Sequence, residues 1–140
     1  MNNIVNIKIK TRYKDADMQG VIHNSVYLVY YDEARLEFIY KYIKEYNEEK
    51  ARLMVHAISN EYIKPLYARE MIEVKIGLVK QTSVRSQFKI EIYSENGELV
   101  HTAIQDMVWT DKNSNLINIQ KDMPKLYNTL KDLEIKNMEN

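Results

Sequence analysis

Between Arg12 and Tyr27 the chain crowds two acids, Asp15 and Asp17, the first of three glycines, a histidine and an asparagine. Asp17 stands seven residues before Asn24, where the longest apolar helical pattern of the chain is about to begin. A carboxylate placed ahead of a helix N-terminus can hold a carbonyl group and attack it. The first helical turn offers free N–H groups and about half a positive charge, which stabilise a developing oxyanion. Gly20 lets the loop turn tightly, with a positive φ. Asp17 lies in such a place ahead of the helix, and Asp15 reads as structural, tying the loop down through backbone N–H groups. The alternative for either acid is an ordinary cap or turn residue.

The elements that hold this loop follow from periodicity. Val5, Ile7, Ile9, Thr11 and Tyr13 alternate with polar residues, so Asn3–Tyr13 reads as a half-buried strand. Asn24 or Ser25 can cap the following helix, which is expected to run to about Tyr46. Tyr27, Tyr31, Ala34, Phe38 and Tyr42 recur at helical spacing, while Leu28, Val29, Leu36, Ile39 and Ile43 widen the apolar face. A helix so apolar is expected to be covered on most sides. Ala51–Lys64 is apolar on both faces in its first half, a candidate central strand; Glu70–Val79, Val84–Ile92 and Leu99–Asp111 follow as strands. Asn96-Gly97 marks a tight hairpin. Asp122-Met123-Pro124 opens a short C-terminal helix with Leu126, Leu130 and Leu133 as its stripe. Strand, long helix, four antiparallel strands and a short helix make an α+β class, with one helix cradled by a curved sheet of about five strands. Residues 1–140 are expected to form a single domain.

Composition narrows the chemistry. Twenty basic and twenty acidic residues cancel, which leaves no footprint for nucleic acid. The absence of cysteine removes disulfides, thiolate metal sites and a thiol nucleophile, and no two histidines have ligand spacing, so no metal is expected. No run has the length of a membrane span, and the N-terminus lacks a basic-then-apolar leader pattern, so a cytoplasmic location is expected. Eleven tyrosines against two phenylalanines place several phenols at sheet edges or an interface.

The run Asp15-x-Asp17-x-x-Gly20-Val21-Ile22-His23-Asn24-x-x-Tyr27, followed by Tyr31-Asp32-Glu33-Ala34-Arg35, resembles the signature of hotdog-fold acyl-CoA thioesterases, in the 4-hydroxybenzoyl-CoA thioesterase and YbgC-like branch. The resemblance implies that Asp17 attacks the thioester carbonyl or activates water, without a cofactor, since coenzyme A is part of the substrate. It implies that N–H groups around His23 and Asn24 polarise the carbonyl, that Gly20 allows the loop its tight approach, and that Val21 and Ile22 contact the substrate. Tyr13 matches a tyrosine near the carboxylate in part of the family. Asn24 stands where many members have histidine and others asparagine; its amide orients but cannot shuttle protons. The family also pairs two subunits so that their sheets join, which implies a homodimer or homotetramer with acyl-CoA at the interface. Lys64, Lys80 and Arg85, near strand ends, are the candidate cations for the coenzyme phosphates.

Rival readings attach to particular residues. Another hotdog branch uses a helical glutamate, which makes Glu33 the second candidate acid; a solvated or ion-paired role for Asp32, Glu33 and Glu37 is the alternative. His56 and His101 read as core or interface histidines. Two further functions fit the same resemblance: an acyl-carrier-protein thioesterase, and a non-catalytic module that binds acyl thioesters.

Overall fold

The computed structural model describes residues 3–44 and 46–138. Its elements are β1 (Val5–Lys10), α1 (Tyr27–Tyr42), β2 (Arg52–Tyr62), β3 (Met71–Gln81), β4 (Arg85–Tyr93), β5 (Leu99–Thr110), α2 (Ile119–Asp122) and α3 (Pro124–Leu133). The strands form one antiparallel sheet in the order β1-β3-β4-β5-β2. This sheet wrapped on one long helix is the hotdog arrangement.

Alternation decides which face α1 takes. Ile76 sits opposite Ile90, which sits opposite Ala103; Leu78, Phe88 and Gln105 make the next row. α1 lies on this face, with Phe38 edge-on to Phe88 at 5.4 Å between ring centres. The intervening residues Lys75, Glu91, Thr102 and Glu61 form a row on the opposite face. There the segment after α3 crosses Gly77, whose missing Cβ would lie 2.4 Å from Ile135 Cδ1. The Ile135 N–H donates to the Leu78 carbonyl at 2.9 Å. Leu126, Leu130 and Leu133 are buried, as their spacing requires.

Four expectations need correction. α1 ends at Tyr42, not near Tyr46, because Ile43 leaves helical geometry at φ −113° and ψ 83°. His23, not Asn24 or Ser25, caps the turn before it: Nδ1 accepts the Ser25 N–H, and Asn24–Val26 is a single 3-10 turn. The helix is not covered on most sides, since Leu28, Val29, Leu36 and Tyr40 stay exposed in the single chain. The Ala51–Lys64 strand, β2, pairs with β5 alone and is an edge, not a centre. An apolar run looks the same whether a neighbour in its own chain or something else covers it.

Candidate active site

The loop between β1 and α1 is held by its own acids and by the chain before β3. One carboxylate oxygen of Asp17 accepts the Gln19 N–H at 2.8 Å and the Val21 N–H at 3.1 Å. The Gly20 N–H closes on the Asp17 carbonyl at 3.0 Å, and Gly20 takes φ +81° with open space where a Cβ would stand. Glycine is required there for its backbone angle, not for room. Ile22 N–H donates to Leu66 O at 2.8 Å, Ala68 N–H to Gly20 O at 3.0 Å, and Val21 bridges Tyr67. The loop is thereby stitched to residues 66–68. The Asp15 carboxylate pairs with the Arg12 side chain at 2.8 Å rather than with backbone N–H groups as expected, while its main-chain carbonyl accepts the His23 N–H at 3.0 Å.

Two of the groups left without a hydrogen bond among the described residues bear on carbonyl chemistry. Asp17 Oδ2 has no hydrogen bond and lies in an exposed side chain. The Asn24 N–H, first of the 3-10 turn that runs into α1, has none either. The His23 N–H, by contrast, is engaged by Asp15. His23 Nδ1 accepts the Ser25 N–H, an arrangement that calls for the tautomer with its proton on Nε2. An anionic oxygen and an amide donor at a positive helix end are the two things that attack on a carbonyl needs.

The other predicted residues are placed unevenly. Tyr13 is 78 % exposed on the turn Tyr13–Asp15, and Met18 at the loop tip is fully exposed. Lys64 lies at the loop's end of the sheet, ion-paired to Glu98 beside a groove of about 230 Å³ that Tyr67 also lines. Lys80 and Arg85 meet around a small cleft with Asp106, which pairs with Arg85 at 3.1 Å. They sit at the far end of β3 from Met71, roughly 30 Å away along an eleven-residue strand. The structure therefore brings Lys64 to the loop and not Lys80 or Arg85. Asp32 rather than Glu33 forms the helix ion pair with Arg35, at 2.9 Å, and Arg35 also donates to Gln105. His56 is exposed at the irregularity between Val55 and Ala57. No group of three metal-ligating side chains occurs among the described residues, and no helix there is long and apolar enough to cross a membrane.

Sequence reasoning missed a polar cluster beneath the first two turns of α1. Tyr31 Oη donates to Asn60 Oδ1 at 2.5 Å and contacts His101 Nε2, which lies 3.3 Å from the same Asn60 oxygen. Tyr27 packs on the His101 ring at 4.5 Å between centres, and Tyr62 meets it edge-on at 4.6 Å. His101 is fully buried, and burial pushes its pKa down to about 4, so the ring is neutral near pH 7. Nothing in the spacing of residues 31, 60 and 101 could have linked them; only strand register does.

Comparisons with known proteins bear on the fold and the family. The acyl-CoA thioesterase YbgC of Helicobacter pylori is 24% identical over 87 residues, spanning 62% of this chain and 65% of its own length. A DHNA-CoA thioesterase structure from Staphylococcus aureus superposes with a TM-score of 0.84 at 24% identity, covering 92% of this chain and 89% of the other. A second Staphylococcus aureus protein, SAV2348, solved in complex with CoA, gives 0.81 at 12% identity over 100% of this chain and 91% of the other. The model of the thioesterase-like superfamily matches residues 11–131, from the end of the first strand to the last helix. With the hotdog sheet, the glycine-turned carboxylate loop and that match together, this chain belongs to the thioesterase-like superfamily, a family of thioester hydrolases.

Proposed function

We propose that the chain hydrolyses acyl-CoA thioesters at the Asp17 loop. The observation that carries this reading is the pair of unengaged groups, Asp17 Oδ2 and the Asn24 N–H, on a loop held in place by the Gln19, Val21, Ile22 and His23 N–H bonds. Asp17 either attacks the carbonyl carbon, giving an acyl-aspartyl anhydride that water then opens, or takes a proton from the attacking water. In both routes the carbonyl oxygen gains negative charge, and the Asn24 N–H at the start of α1 donates to it. The thiolate of coenzyme A leaves, and free acid is the second product. His23, Asn24 and Tyr13 line the mouth and position the thioester, with Val21 as the apolar wall; Ile22, expected beside it, is buried in the core instead. Lys64 is the cation within reach of a coenzyme phosphate.

Two copies of the chain pair along β2. Its outer edge has no strand partner among the described residues, and Met54, Val55 and Tyr62 on it are exposed, as are Leu28 and Leu36 on α1. Such an edge is a template for a second strand, and the joined sheet covers the apolar flank of α1. The acyl group and pantetheine arm then lie between the subunits. The reaction takes water and needs no cofactor.

The test is thiol release from a panel of short, long and aromatic acyl-CoAs, with the same acyl groups on a carrier protein in parallel. The Asp17→Asn variant retains an oxygen to accept from Gln19 and Val21, so it folds. Its kcat falls by about 10²–10⁴-fold, the range of a lost acid–base group. Turnover by Asp17→Asn within tenfold of the wild type refutes the assignment. Faster release from the carrier than from coenzyme A reassigns the substrate, and tight binding without thiol release reassigns the protein as a binding module.

A further inference from the structure

We propose that His101 is a positioning residue, which through Tyr31 and Tyr27 sets the first two turns of α1 and with them the amide donor at Asn24. This rests on the reading of that turn as the place where the thioester carbonyl is held.

The cluster is not what stability alone selects. His101 Nδ1 is buried without a hydrogen-bond partner among the described residues. A buried polar atom left unpaired destabilises the fold, whereas an apolar side chain of the same shape does not. The rest of the row that His101 completes, Val74–Ile92, and the neighbouring row, Ile76–Ile90–Ala103, are apolar. A histidine and a tyrosine hydroxyl therefore interrupt an apolar stretch of the floor beneath the start of α1.

What the interruption touches is the catalytic turn, from two sides. Tyr27, whose ring lies on His101, follows Asn24 by three residues and opens α1. The Leu66 N–H faces the Tyr27 hydroxyl, and the Leu66 carbonyl accepts the Ile22 N–H, one residue before His23. Tyr31, one turn on, is fixed by its hydroxyl to His101 and to Asn60 on the edge strand. Packing alone lets a helix slide or rotate by small amounts, while short directional hydrogen bonds do not. A shift of an ångström at the Asn24 N–H is enough to weaken transition-state stabilisation strongly.

Three variants test this in the wild-type background, each read by kcat, KM and melting temperature. His101→Leu fills the site with an apolar side chain: the melting temperature stays level or rises, kcat falls at least tenfold, and KM stays within threefold. His101→Gln carries its terminal amide about where Nε2 stands, and returns kcat to within about threefold of the wild type. Tyr31→Phe removes the hydroxyl alone and lowers kcat about tenfold; it decides the matter if His101→Leu does not fold. A kcat of either apolar variant within twofold of the wild type overturns the proposal, as does a Gln variant no better than Leu, or a change confined to KM. A wild-type protein that releases thiol from no thioester overturns the reading of the site, and this proposal with it. An active wild type with indifferent variants overturns this proposal only.

Discussion

Replacing Asn24 by proline deletes one hydrogen atom from the start of α1, and the structure says that little else changes. Proline requires the preceding residue to be extended, and His23 already has φ −65° and ψ 143°. It requires a φ near −65° at its own position, which is where a 3-10 turn holds its residues. It removes an N–H, and the Asn24 N–H has no partner among the described residues. The bond that closes the turn, Val26 N–H to His23 O at 3.0 Å, is untouched. Folding stability is therefore expected to hold or to rise by up to about 1 kcal/mol, through a stiffer unfolded chain. Catalysis is expected to behave otherwise. Removing one oxyanion donor costs about 10²–10³ in kcat, or roughly 3–4 kcal/mol of transition-state stabilisation. The side-chain amide is lost as well, so Asn24→Ala, which keeps the N–H, is the reference. Steady-state thiol release with an acyl-CoA the wild type accepts gives both kcat values, and thermal melts give both stabilities. If Asn24→Pro turns over within fivefold of Asn24→Ala while equally folded, that amide holds no oxyanion.

Three other expectations follow from separate features. Gly20→Ala places a Cβ in open space but at φ +81°, so it costs about 1–2 kcal/mol of strain without any clash; a melting temperature equal to the wild type's would contradict it. His101 has a folded pKa near 4, below its unfolded value of 6.5, so the unfolded chain binds a proton first as pH falls. Its share of stability is complete above pH 6.5 and is lost between 6.5 and about 4, by at most about 1.4 kcal/mol per pH unit. Denaturant melts of wild type and His101→Gln across that window should differ in slope. Val55→Glu places a charge on the free edge of β2, beside exposed Met54. If two copies pair along β2 as proposed, sedimentation is expected to show the wild type as the pair and the variant as single chains with secondary structure intact.

Local residue order was enough to read most of the scaffold, because alternation and helical spacing are local signals. The Asp17 loop was legible for the same reason: its carboxylate, its glycine and its helix start lie within one short stretch. Partner choice was not legible. Whether His23 or Asn24 caps the turn depends on where an imidazole nitrogen falls, and that choice decides which N–H remains available to a substrate. Lys64, Lys80 and Arg85 look alike in sequence, yet strand direction sends one to the loop and two to the opposite end of the sheet. β2 reads as a central strand by its apolar content and proves to be an edge, since order within a sheet is set by long-range pairing. The bond from Tyr31 to His101 spans seventy residues. Sequence by itself determined which groups could do the chemistry, because side-chain type and local spacing are written there; only the tertiary structure decided which of them remain unpaired, because hydrogen bonds are shared out among neighbours that the fold, not the chain order, brings together.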